Sequence, residues 1–383
     1  MIARLRGDGS RAPLLLNAHL DVVPADPQGW TCPPFGGEIR DGWIHGRGAL
    51  DMKNMAALSI AVLRQLRRER VPLSRDVIFC GSADEEAGSE DGALWLVDRH
   101  PDAVRAAFGL GEVGGFSLHV GGRAFYPVMV AQKGVCWFRM RAQGEPGHGS
   151  IPRPESAVVR LSRAVAMLGA ARLPAHATPI YRSMMRALAA GARGALRLSM
   201  AAMASETLAS RLLPQSGGGG LGRNLAALLS NTASPTVLRA GGSPNVHPPV
   251  AECVVDGRTL PGQTREDLLR EVRAVVGPDI ELEPFYERSP IEMPAGTPLF
   301  EEIAAAVGEL DAEARVVPVL MPGFTDAYAF ARLGCTFYGF VPLRLPPAVP
   351  FAELFHGRNE RVPVEGFLWG FRALYRIVRG FCT

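Results

Sequence analysis

The sequence predicts an α/β fold, a mostly parallel sheet with flanking helices, into which a smaller α+β unit is inserted. Three observations carry this expectation. Short apolar runs alternate with longer helix-compatible segments between residues 13 and 111, the pattern turns to alternating strands near Gly134, and the first rhythm resumes after Glu287.

Taken in order, PLLLNA, DVIFCGSA and AAFGLG read as buried strands, with MKNMAALSIAVLRQLRRER and EDGALWLVDRH as the helices between them. Polar residues follow the strands, and in such sheets functional sites collect at strand carboxyl ends. His19 and the Asp84, Glu85, Glu86 cluster fall there. From Gly134, GVCWFRMRAQG reads as a strand and SAVVRLSRAVAMLGAA as a helix, and the strands AECVVDGRTL and IELEPFYE flank the helical TREDLLREVRAVV. Then PLFEEIAAAVGEL is a helix, and RVVPVLM and TFYGFVPL are strands. The expected division is a discontinuous large domain, 1–133 and 291–383, and an inserted unit, 134–290. Inside the insertion, the Ala, Met and Leu-rich stretch at 178–235 predicts extra helices, broken by a glycine loop at 217–220.

Composition narrows the function classes. At 383 residues and 47% hydrophobic content, the chain can build large cores in about two domains. Its 41 basic and 38 acidic residues are dispersed, with no basic run to track a phosphate backbone, so nucleic acid is not an expected partner. The six cysteines are widely spaced, without a CxxC pair, and read as free thiols of a reducing, cytoplasmic compartment. No stretch has the length and apolar continuity of a membrane span, and the start lacks the order of a signal peptide. The 183–213 stretch reads as helix packing in preference to an acyl-chain cap or a membrane-touching surface.

Five short stretches concentrate His, Asp and Glu more densely than a core tolerates unpaired: HLD, GRGALDMK, ADEEAGS, GLGEVGG and ELFHGRNE. Like charges gathered this way call for cations, and mixed imidazole and carboxylate donors suit zinc, with cobalt or manganese as substitutes.

These stretches, in this order, resemble the M20 family of metallopeptidases and aminoacylases over essentially the whole chain, and PGHGSIP and NVHPPVAECVVDGRTLPG are similar to its smaller domain. The helical stretch before Asn245 places the resemblance nearest the carboxypeptidase S and N-acyl amino acid hydrolase branch. The resemblance implies a zinc exopeptidase-like large domain, an inserted lid and dimerisation domain, and two divalent metal ions. In this sequence it implies His19 and Glu112 on one metal, Glu86 and His356 on the other, and Asp51 bridging, with a cis peptide between Asp51 and Met52. Glu85 is then the general base and His148 the oxyanion donor, presented across a homodimer interface. Asn245 and Arg258 match residues that hold a substrate carboxylate, and Gly323 and Asp326 match a loop near the substrate. Asp21, two residues beyond His19, is the expected partner of its imidazole. Two departures stand out: GEVGG replaces the more usual Asn-Glu-Gly-Gly, and Tyr328 stands where an arginine is common. The chain also leaves little room for the family's first helix and strand, which implies a shortened start or an uncovered sheet edge. His45, His100, His119, His176 and His247 match no ligand position.

The expected activity is hydrolysis of the amide next to a C-terminal amino-acid carboxylate in peptides or N-acyl amino acids. An aminopeptidase or dipeptidase on the same scaffold needs an acidic anchor for a substrate ammonium, which the sequence does not offer. A non-catalytic binding or assembly protein is disfavoured by the intact Asp51, Glu85, Glu86 and His356.

Overall fold

The computed structural model describes residues 1–213, 220–347, 349 and 353–383. The expected glycine loop lies largely outside the described residues. At the centre are Val77–Ser82, Leu14–His19, Phe108–Gly111 and Thr336–Gly339, four adjacent parallel strands of a nine-stranded sheet. Ile2–Leu5 pairs antiparallel with Val77–Ser82 at one edge. On the other side Arg123–Gln132 takes Arg315–Met321 in parallel and Ile291–Glu292 and Leu118–Val120 antiparallel.

Leu14–His19 shows why its sequence is a continuous apolar run rather than an alternation. Leu14, Leu16 and Ala18 join the core on one face, where the helices Lys53–Glu69, Pro298–Leu310 and Val364–Cys382 pack. Leu15 joins a second core on the opposite face, with Leu94 and Val97 of helix Ala93–Arg99 and with Phe330. A strand covered on both faces has no solvent side to mark with polar residues. Each fully buried leucine contributes about 1.5–3 kcal/mol.

The inserted unit is a four-stranded antiparallel sheet ordered Thr232–Ala240, Val250–Thr259, Gly134–Gln143, Glu281–Arg288. Helices Ala157–Ala170 and Arg265–Val276 cover one face and share a separate core with it, including Phe138, Leu161, Val255 and Leu268. Arg265–Val276 starts at a capping box, in which the Thr264 hydroxyl accepts from Asp267 N and the Asp267 carboxylate accepts from Thr264 N.

The extra helices form as expected, at Pro179–Gly191, Gly194–Met203, Glu206–Leu212 and Gly220–Leu229. Their packing differs from the sequence-based grouping with the inserted unit. Ile180, Tyr181, Met184, Met185, Leu213, Leu228 and Leu229 enter the large domain's core, and Pro179–Gly191 lies against Arg315–Met321. The first helix ends where a Cβ on Gly191 would come within 2.2 Å of the Phe125 ring. Continuity in sequence with the lid could not reveal that the apolar face finds its cover on the larger sheet. Among the described residues no helix is long and apolar enough to cross a membrane.

Candidate metal centre

Three turns of the site leave the carboxyl ends of adjacent parallel strands. His19 ends Leu14–His19, Glu85 and Glu86 follow Val77–Ser82, and Glu112 follows Phe108–Gly111. Asp51 stands just ahead of helix Lys53–Glu69, and His356 lies in the loop before strand Arg361–Pro363. The Asp51–Met52 peptide is cis, as the resemblance implies, and so is Glu112–Val113. The last two glycines of GEVGG let the Glu112 turn pass through a tight space: a Cβ on Gly114 would lie 2.5 Å from the Gly339 carbonyl oxygen, and one on Gly115 2.6 Å from the Val341 backbone.

The side chains converge. His19 is fully buried, with Nε2 3.0 Å from Asp51 Oδ1 and 3.6 Å from Glu112 Oε2. Asp51 Oδ2 lies 3.2 Å from His356 Nε2, which is also 3.2 Å from Glu86 Oε2. One carboxylate thus stands between two imidazoles with an oxygen toward each. Donor atoms of His19, Asp51 and Glu86 lie within 4.8 Å of one another, as do those of His19, Glu85 and Glu112. Glu85 is therefore inside the cluster, not merely adjacent to it in sequence.

Asp21 approaches from behind: His19 Nδ1 is 3.1 Å from the Asp21 carbonyl oxygen and 3.6 Å from its carboxylate, whose other oxygen accepts from Glu86 N at 3.0 Å. It orients an imidazole and anchors the Glu85–Glu86 turn together. Although burial opposes ionisation, His19 and the Glu86 amide hold Asp21 down to about 2. For His19, burial works against the imidazolium, but Asp21, Asp51 and Glu112 outweigh it and raise the pKa.

Glu85, Glu86 and Glu112 go the other way. Burial and the charge of Glu112 push Glu85 up to about 11, burial raises Glu112, and burial with Asp51 raises Glu86. Glu112 Oε1 and Asp21 Oδ1 are buried without a hydrogen-bond partner. Crowded, desolvated carboxylates with unused lone pairs ionise together only if a positive charge compensates them. The imidazole and carboxylate donor set fits a zinc-type divalent cation.

The oxyanion-donor and substrate-binding candidates lie elsewhere. His148 is exposed in the short strand Gly147–His148, hydrogen-bonded through Nδ1 to Ser150 Oγ at 2.8 Å, and shares no contact with the acidic cluster among the described residues. Asn245 adjoins it, its carbonyl accepting from Gly149 N. Arg258 is engaged by Asp256 through Nε and Nη2, at 2.7 and 3.1 Å, leaving Nη1 buried and unpaired. Gly323 lies in the turn between Arg315–Met321 and helix Ala327–Ala331.

Two residues gain a role that the sequence did not mark. Asp326 is buried and accepts from Ser82 Oγ at 2.6 Å and Ser89 Oγ at 2.7 Å, pinning both ends of the turn that carries Glu85 and Glu86. Arg288 is also buried. It is packed against Phe324 at 4.2 Å, Tyr286 at 5.1 Å and Tyr328 at 5.8 Å, and bonded to the Gly88 carbonyl and Glu90, with Nη1 left unpaired. Tyr328, standing where an arginine is common in the family, is thus part of the packing around a different arginine. No spacing rule distinguishes Arg288 in FYERSP.

Reactive groups gathered at the carboxyl ends of parallel strands, in a donor set made for divalent cations, define a metallohydrolase built on an α/β sheet. The model of peptidase family M20/M25/M40 matches residues 15–380, and the chain belongs to that family. It is a metallopeptidase or amidohydrolase acting on peptides or N-acyl amino acids. The mouse (Mus musculus) N-fatty-acyl-amino acid synthase/hydrolase PM20D1 is 30% identical over 393 residues, covering 94% of this chain and 72% of the relative. Probable carboxypeptidase S-like 2 of Dictyostelium discoideum is 25% identical, covering 94% and 70%. Among solved structures, the M20 family metallo-carboxypeptidase Sso-CP2 of Sulfolobus solfataricus superposes with a TM-score of 0.71 at 17% identity, covering 99% of this chain and 87% of that one. Human carnosine dipeptidase 1 superposes with a TM-score of 0.63 at 16% identity, covering 99% and 83%, and both show the shared fold.

Proposed function

We propose that this chain hydrolyses N-acyl amino acids, cleaving the amide next to the amino acid's free carboxylate with the aid of two divalent cations, zinc in the first instance. The observation that carries the reading is Asp51, whose two carboxylate oxygens face His19 at 3.0 Å and His356 at 3.2 Å. His19 and Glu112 would hold one cation, Glu86 and His356 the other, and Asp51 both. When bound, such a pair activates water at neutral pH and polarises the scissile carbonyl.

The chain's own residues do the rest. Glu85, enclosed with Glu112, accepts the proton of the attacking water and passes it to the leaving amine. Asp21 keeps the His19 ring turned toward Asp51. The product amino acid carries a carboxylate, and three groups suit it: Asn245, Arg258 and the unpaired Nη1 of the buried Arg288. His148, exposed on the lid, would reach the site of a partner subunit and stabilise the oxyanion there. An acyl substrate is favoured over a dipeptide by the activity named for the mouse relative.

The test is a panel of N-acyl amino acids of graded chain length, their carboxamide-capped forms, and dipeptides. Each is assayed before chelation, after it, and after zinc is restored. Acyl amino acids should be cleaved in the metal-loaded states alone, and capping the carboxylate should raise KM. Full turnover by protein shown to be metal-free, or indifference to capping, would overturn the reading.

A further inference from the structure

The geometry points to the buried Arg47–Glu360 ion pair as the device that positions Asp51 and His356, and hence as the determinant of how tightly the cation shared by Asp51, Glu86 and His356 is held. The inference rests on the two-cation reading above. Neither residue contributes a donor to the cluster, and both belong to the motif stretches GRGALD and HGRNE, whose other members do.

Glu360 is wholly buried, and both of its carboxylate oxygens accept hydrogen bonds. Its Oε1 accepts from Leu50 N at 2.8 Å and from Asp51 N at 3.1 Å, and its Oε2 accepts from Arg47 Nη1 at 2.6 Å. The two amides lie just ahead of helix Lys53–Glu69, where backbone donors have no helical carbonyl of their own. A carboxylate is the acceptor that suits them. Arg47 then continues across the pair: its Nη2 donates to the His356 carbonyl at 3.1 Å. That residue needs the support, because His356 has φ 56°, in the left-handed region that side chains with a Cβ seldom occupy.

One ion pair therefore reaches the backbone of both residues that flank the space between Asp51 Oδ2, Glu86 and His356. It makes no bond to His19 or Glu112. The pair is fixed in turn by Gly46 N donating to the Glu360 carbonyl and by the pairing of Arg361–Pro363 with Trp43–His45. Loss of this support should act on the two cations unequally. Asp51 serves both, but the second also depends on His356.

Glu360→Gln removes the charge and leaves an amide that cannot accept from Arg47 and from both backbone amides at once. Arg47→Lys keeps a cation beside Glu360 but loses the planar fork that spans to His356. Metal-free wild type and both variants are titrated with zinc against a chromophoric chelator, and the melting temperature of each metal-free form is recorded. Wild type should take up two equivalents. In both variants one of the two equivalents should lose about 10 to 100-fold in affinity, the usual reach of a partner behind a ligand, while the other changes less. Both metal-free forms should still unfold cooperatively, at a lower temperature in Glu360→Gln, which leaves the Arg47 charge buried without its partner. Equal loss at both sites, or unchanged affinity at both, would overturn the proposal while leaving the two-cation reading intact. Failure of both variants to fold without metal would assign the pair to folding and also overturn it. Fewer than two equivalents in wild type would remove the two-cation reading and this proposal with it.

Discussion

Glu85 and Glu86 are neighbours on one turn, yet their surroundings differ. Glu86 faces His356 at 3.2 Å, whereas Glu85 turns inward to Glu112 and His19, and burial with the Glu112 charge drives its pKa up to about 11. With cations held beside it Glu85 would be ionised, and from its place beside Glu112 it could then take up a proton released next to it. Glu85→Gln should accordingly keep both cations and lose roughly 10²–10⁴-fold in kcat. Glu86→Ala and His356→Ala should each lose about one equivalent of metal. Metal content per subunit, measured beside turnover, separates the two outcomes. A Glu85→Gln protein that comes out metal-poor when wild type is loaded would show that the roles are wrongly divided. The residues behind the turn matter as well, because Asp326 holds Ser82 and Ser89 at its two ends and Asp21 holds the amide of Glu86.

At the scale of single elements, the lid helix Arg265–Val276 offers a stability test remote from the chemistry. Its capping box joins Thr264 and Asp267, and Thr264→Ala should cost about 1 kcal/mol of stability. The bonds from the Thr264 backbone and hydroxyl, together with Arg270, hold Asp267 down to about 2, below the roughly 3.9 of an unfolded aspartate. Between those values the unfolded chain binds more protons than the folded one. The stability contributed by Asp267 is thus fully present above about pH 4 and is lost as pH falls toward 2. In acid melts, the gap between wild type and Asp267→Asn should narrow over that window. A gap that stays constant from pH 5 to 2 would show that the charge of Asp267 plays no part in the cap.

For the whole molecule, the role proposed for His148 requires a second subunit, because among the described residues it shares no contact with the acidic cluster of its own chain. If it acts on a partner's site, His148→Ala and Glu85→Gln subunits should complement each other. With free exchange of equal amounts, about half the dimers are mixed, each with one complete site, so activity should approach a quarter of wild type. Exchange demonstrated without recovery would show that His148 does not act across the dimer. The six cysteines take no part in this arrangement. All are buried, and burial pushes Cys80, Cys335 and Cys382 up to about 12, as expected for inert packing thiols.

Local chemistry made most of the fold, and the gathering of His, Asp and Glu side chains, legible in the sequence. The run at Leu14–His19 is apolar throughout because both faces of a central parallel strand are covered, and His19 marks its end because polar groups gather where such strands stop. HLD, ADEEAGS, GLGEVGG and HGRNE concentrate donors beyond what a core accepts without a counter-charge, so the chemistry follows from residue type alone. What depends on distant partners was not legible. The Ala and Met-rich helices after Thr178 have an apolar face, but only the fold shows that it covers Arg315–Met321 instead of the lid sheet. Arg288, unmarked by any motif, is buried against Phe324 and Tyr328 and bonded to the Gly88 carbonyl and Glu90, with Nη1 unpaired. Burial and partnership of this kind are decided by packing between segments far apart in the chain, and spacing along it carries no record of which segment arrives.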